Sequence, residues 1–94
     1  MQFTKLSDCI KYYQDYHLTK HKYKWRANAL AYFDSFELGQ IRKHHIKKYH
    51  VQRSVKVSNA TINREISFAK SSINCVNRDF EISLHNAFTD IKFD

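Results

Sequence analysis

Val57-Ser-Asn-Ala-Thr-Ile-Asn-Arg-Glu-Ile-Ser-Phe-Ala-Lys-Ser-Ser-Ile-Asn-Cys-Val76 reads as one capped, amphipathic helix. Ser58 or Asn59 supplies a short side-chain oxygen for the first free backbone N–H groups. Behind that cap, Ile62, Ile66, Ala69, Ile73, Val76 and Phe80 recur at spacings of four and three, which is a single apolar stripe on a helix. Phe68 and Cys75 add a second apolar flank, as expected of a helix that packs on two neighbours. Ala60, Arg64, Ser67, Ser71 and Arg78 lie opposite. Three of these are small, so a bulky, flat partner can come close to the backbone while the guanidinium groups reach forward.

Outward from this helix the chain stays helical. Its 94 residues contain no proline and one glycine, Gly39, and no alternating β-branched runs bounded by turn residues. The length suits one small core. The expected fold is all-α, a compact four-helix bundle. A first helix spans about 4–16, with Phe3, Leu6, Ile10 and Tyr13 inward and Cys9 beside them. A second spans about 23–36, with Trp25, Ala29, Tyr32, Phe33 and Phe36 inward and Lys24, Asn28 and Ser35 outward. Gly39 offers the permissive backbone of a tight turn, which Leu38 and Ile41 plug. A third helix covers about 43–53, with Ile46, Tyr49 and His50 inward. Arg42 stands where a cap belongs and cannot accept the capping hydrogen bond, so this helix is expected to fray at its start. The fourth runs over about 59–79.

Charge narrows the function. The formal net charge is +7, and residues 17–54 hold nine Lys/Arg against two acids, Asp34 and Glu37. Residues 75–94 hold Arg78 and Lys92 against four acids. A cationic region beside a less cationic tail favours a polyanion, and no basic face opposes a broad apolar one as a membrane-surface helix requires. No long apolar span and no signal-peptide pattern appears, which points to an intracellular protein. Cys9 and Cys75 are expected to be reduced thiols packed as small hydrophobes. His17 and His21 have helical spacing but no third ligand nearby, and His44 and His45 point about 100° apart on a helix, so no metal site and no cofactor is expected. No catalytic motif is present either.

The quoted stretch also resembles a known family. Ser58-Asn-Ala-Thr-Ile-Asn-Arg-Glu-Ile66 is similar to the start of the last long helix in phage-integrase core-binding domains, the SAM-like, DNA-clamping N-terminal arms of tyrosine recombinases. Phe36-Glu-Leu-Gly-Gln-Ile41 resembles the family's turn between helices. Ile46-Lys-Lys-Tyr49 followed by Arg53 is similar to its next helix, and Asn86-Ala87-Phe88 stands where the family shows Asn-Pro ahead of the catalytic domain. Arg42 and Ala87 depart from the family pattern. The resemblance implies a core-binding domain over residues 1–80, with 81–94 as an exit segment toward a catalytic domain that this chain lacks. The implied partners are double-stranded DNA and that catalytic domain, with no membrane and no small-molecule substrate. The implied setting is a bacterial or phage-encoded cytoplasmic protein that binds DNA and does not cut it, the recombinase tyrosine and its Arg and His-x-x-Arg partners lying elsewhere.

By this resemblance Thr61 and Arg64 match contact positions, as do Lys22, Lys24 and Arg26 around the second helix. Asn28 lies outward on the same helix. Ser58 and Asn59 sit at a helix N-terminus that favours phosphate, and Asn63 is short and polar enough to reach phosphate or a base, or else to brace the linker before the fourth helix. A helical protein-interaction module using the aromatic surplus, and a helix-turn-helix regulator, are the competing readings.

Overall fold

The computed structural model describes residues 2–17 and 24–94, with only the backbone at 24 and 25. Four α-helices follow in order, α1 (Leu6–His17), α2 (Lys24–Leu30), α3 (Lys43–Arg53) and α4 (Asn59–Phe80). No strand occurs among the described residues. The all-helical expectation holds, and α1 packs most extensively on α4.

The apolar stripe of α4 builds the centre. Ile62, Ile66, Ala69, Ile73 and Val76 are buried, and so are Phe68 and Cys75 on the second flank. All of these but Cys75 form one cluster with Leu6, Cys9 and Ile10 of α1 and Ile46 and Tyr49 of α3. Phe80 departs from the expected stripe and is 42 % exposed. It sits on the last turn of α4, against the rings of Phe3 and Tyr12 with centroids at 5.1 and 5.2 Å.

The second helix is shorter than its sequence pattern suggests. After Leu30 the backbone tightens into a 3₁₀ stretch, Ala31–Ser35. A 3₁₀ helix has three residues per turn and eclipses positions i and i+3. That geometry lines up Leu30, Phe33 and Phe36, the first two fully buried and the third half-buried, where an α-helix would rotate them apart.

Leu38 and Ile41 plug the core as expected, through a second 3₁₀ turn, Leu38–Gln40. Gly39 does not provide what the sequence suggests. Its φ is not positive, and a Cβ there would meet nothing within 4 Å, so the turn does not depend on glycine. At the start of α3 the cap fails at Arg42 but is replaced from the other side. The Arg42 backbone N–H donates to His45 Nδ1 at 2.9 Å, and the Arg42 guanidinium donates to the Ile41 carbonyl at 3.2 Å.

Residues 81–94 form no helix, yet they belong to the core. Glu81 closes α4 in the left-handed conformation at φ 55°, a region that ordinarily favours glycine. The chain then doubles back along α4. The Asn77 amide donates to the Leu84 carbonyl at 3.1 Å and accepts the Leu84 N–H at 2.8 Å. Phe88 is 1 % exposed and meets Phe33 edge-on at 5.2 Å. A radius of gyration of 12.5 Å matches the roughly 12 Å expected for this length, as a docked tail requires.

Candidate nucleic-acid interface

The start of α4 is built by its cap. Ser58 is extended, its Oγ accepts the Thr61 N–H at 3.3 Å, and its carbonyl accepts the Ile62 N–H at 3.1 Å. Thr61 Oγ1 lies 3.3 Å from Ser58 Oγ, so the two hydroxyls share one hydrogen bond at the helix entrance.

One turn on, the outer face of α4 opens into a groove of about 340 Å³. Asn63, Arg64, Ser67, Phe68 and Ser71 line one wall, with Tyr13 of α1 and Arg26 of α2 opposite. Arg64, Ser67 and Ser71 follow helical spacing, so they form one ridge. Arg64 is exposed and has no ion-pair partner among the described residues. The described lining of the groove therefore carries two guanidinium groups, the hydroxyls of Tyr13, Ser67 and Ser71, the Asn63 amide and the ring of Phe68, with no carboxylate.

The predicted contact residues divide. Arg26 and Arg64 meet in this groove, and Ser58 and Thr61 stand at the helix entrance. Asn28 is exposed on α2. Lys22 lies outside the described residues, and only the backbone of Lys24 is described, at the first position of α2. Asn59 and Asn63 are committed to the tail. Asn63 donates to the Phe93 carbonyl at 2.6 Å and accepts the Phe93 N–H at 2.8 Å. Asn59 donates to the Asp94 carbonyl at 2.6 Å and pairs with His50 Nε2 at 2.8 Å. The sequence left Asn63 open to DNA contact or to bracing the linker ahead of α4; its bonds go instead to Phe93, in the tail that follows α4.

Behind the groove sits a network that sequence reasoning missed. Glu65 does not pair with its neighbour Arg64. It is fully buried, takes Arg53 in a forked pair at 2.8 and 3.2 Å, and accepts the Tyr49 hydroxyl at 2.5 Å. Burial and this hydrogen bond push the Tyr49 pKa up, so the phenol stays a donor. The bond to Glu65 likewise holds Arg53 charged. A signal was present, since position 65 falls three after Ile62 and four before Ala69, on the inward stripe.

A second cluster links the far ends of α1 and α4. Asp79 Oδ2 lies 2.6 Å from His17 Nε2 and accepts the Tyr12 hydroxyl at 2.8 Å, while Arg78 donates to Oδ1 at 3.3 Å. Hydrogen bonds from Tyr12, then His17, draw the Asp79 pKa down to about 2. Cys75 Sγ is 3.8 Å from the same oxygen. His21, four residues after His17 in the sequence, lies outside the described residues.

No described helix is long and apolar enough to cross a membrane. No protein-family model, curated protein or solved structure matches the chain.

Proposed function

We propose that this chain is a DNA-binding domain of the integrase core-binding type, SAM-like in fold, which grips duplex DNA beside a recombination site and leaves strand cutting to a separate catalytic domain. The observation that carries the reading is the groove in which Arg64, Ser67 and Ser71 face Arg26 with no acid in the lining. A phosphate backbone supplies the negative charge this surface lacks, and small serines let it approach the helix. The capped N-terminus at Ser58–Thr61 adds free N–H groups at the same end of α4.

The residues behind the family resemblance also act as one physical unit. Tyr49 and Arg53 of α3 converge on Glu65, inside the stretch that resembles the last long helix. This fixes α3 against the helix that carries the groove.

The test is a fluorescence-anisotropy titration with generic duplex DNA at several salt concentrations. Affinity is expected to fall steeply with salt, and Arg64→Ala to lower the slope of log K against log salt by about one. Arg64 makes no ion pair among the described residues and is exposed, so the variant should stay folded. Undetectable binding at low salt by the folded chain, or affinity unmoved by Arg64→Glu, refutes the reading and favours a helical protein-interaction module.

A further inference from the structure

His17 stands on the last turn of α1, and Cys75 and Asp79 stand one turn apart near the end of α4. Their ligand atoms, an imidazole nitrogen, a thiol sulfur and a carboxylate oxygen, all lie within 4.8 Å of one another. The three side chains come from two helices. We propose that His17, Cys75 and Asp79 form a binding site for a thiophilic divalent cation, zinc in the first place.

The donor set selects the ion. One sulfur, one nitrogen and one oxygen suit zinc or cobalt(II), whereas calcium and magnesium take oxygen ligands. Geometry agrees. Zinc binds sulfur at about 2.3 Å and nitrogen or oxygen at about 2.0–2.2 Å, which in a tetrahedron sets neighbouring ligands roughly 3.3–3.7 Å apart. The Cys75–Asp79 separation of 3.8 Å is already close to that value. His17 and Asp79, at 2.6 Å, need to part by about 1 Å, within the reach of a side-chain rotation.

Metal entry replaces the His17–Asp79 hydrogen bond with two bonds to the ion. The Cys75 thiol gives its proton to solvent as the metal–sulfur bond forms, and the proton that His17 Nε2 holds toward Asp79 leaves to solvent or is replaced by one on Nδ1, so that the neutral ring ligates through the Nε2 lone pair. Tyr12 supplies the outer support that such sites need. Its hydroxyl donates to the same Asp79 oxygen at 2.8 Å and orients the carboxylate. With three protein ligands, the fourth position belongs to water.

Sequence spacing hides this site, because His17 is 58 positions from Cys75 and neither C-x-x-C nor His-rich pairing marks it. It lies about 16 Å along α4 from Arg64, so it stands apart from the DNA groove and does not depend on that reading.

The decisive experiment titrates the reduced, folded chain with cobalt(II), followed by optical absorption. The expected result is a thiolate-to-cobalt charge-transfer band with tetrahedral d–d bands, displaced by zinc. Cys75→Ala is expected to abolish the charge-transfer band. Cys9→Ala keeps it. The exposed His17→Gln change weakens cobalt binding about tenfold or more while leaving the circular dichroism unchanged, and it carries the test if Cys75→Ala misfolds. Zinc at a hundredfold excess over its Kd should raise the melting temperature of the wild-type chain by about 10 °C or more, and that of His17→Gln by about half as much or less at the same zinc concentration. Absence of the band, or a band that survives Cys75→Ala, overturns the proposal, as does wild-type affinity in His17→Gln.

Discussion

Arg53→Met is the substitution that most directly probes the interior of this domain. It removes the guanidinium that holds Glu65 at 2.8 and 3.2 Å and leaves a carboxylate with no exposure to water. Breaking a buried ion pair from one side costs about 3–5 kcal/mol, because the remaining charge stays desolvated. Two features of the site pull the value to the low end. The Arg53 side chain is itself 24 % exposed, and Tyr49 still donates to Glu65. The expected loss is about 3 kcal/mol, a large share of the roughly 5–14 kcal/mol that holds a chain of this size. At about 4–8 °C per kcal/mol, the melting temperature should fall by some 12–24 °C. Urea unfolding followed by circular dichroism gives the free energy directly, with the midpoint moving and the slope unchanged. The triple variant Arg53→Met, Glu65→Leu, Tyr49→Phe should recover most of the loss, since it replaces the polar network with apolar groups of similar size. A single variant costing less than about 1 kcal/mol refutes the stranded-charge argument. A triple variant no better than the single one assigns the loss to packing instead.

Two further outcomes follow from elements outside that network. Phe88→Ala should cost about 3–5 kcal/mol in urea unfolding despite lying beyond the last helix, because the ring is 1 % exposed against Phe33; a cost under 1 kcal/mol would detach residues 81–94 from the core. Acidification should loosen the start of α3. Burial, then the charges of His44, Arg42 and Lys48, hold the His45 pKa below its ordinary 6.5, and the neutral ring accepts the Arg42 N–H while resting on Phe36. A lowered folded-state pKa means that this contribution is intact above pH 6.5 and is lost as pH falls through the folded value. The protection factors of the amides at residues 43–46, corrected for the intrinsic pH dependence of exchange, should fall on acidification below pH 6.5 in the wild type and depend less on pH in His45→Gln.

How far the fold is legible in the sequence depends on the kind of interaction. The α4 stripe from Ile62 to Val76 was readable because helical periodicity is local, and the bounds of α3 coincide with its sequence pattern for the same reason. The 3₁₀ stretch after Leu30 was not, since the choice between two helical windings is made by where Leu30 and Phe33 must land in the core. Gly39 misled because glycine permits a left-handed turn without requiring one. Phe88 and the asparagine clamps escaped because they join residues far apart in the chain. The same limit shaped the site. Arg64 and its serines stand on one helix face and were visible, whereas the Tyr49–Glu65–Arg53 network and the gathering of His17, Cys75 and Asp79 exist only once α1, α3 and α4 are packed.

The asparagines of α4 make the helix a measuring edge for the returning chain. Asn77 holds Leu84, Asn74 and the Lys70 carbonyl hold Asn86, Asn63 holds Phe93, and Asn59 holds Asp94. From residue 59 to 77 an α-helix advances about 27 Å, and the ten steps from 84 to 94 can span about 33 Å at most. The turn at 87–90 takes up the difference, so the tail follows α4 peg by peg and not as a free end. Its last two pegs, Asn59 and Asn63, stand on the first turns of α4, at the groove end of the helix. The groove's floor and the end of the chain are thus held by neighbouring residues of one helix.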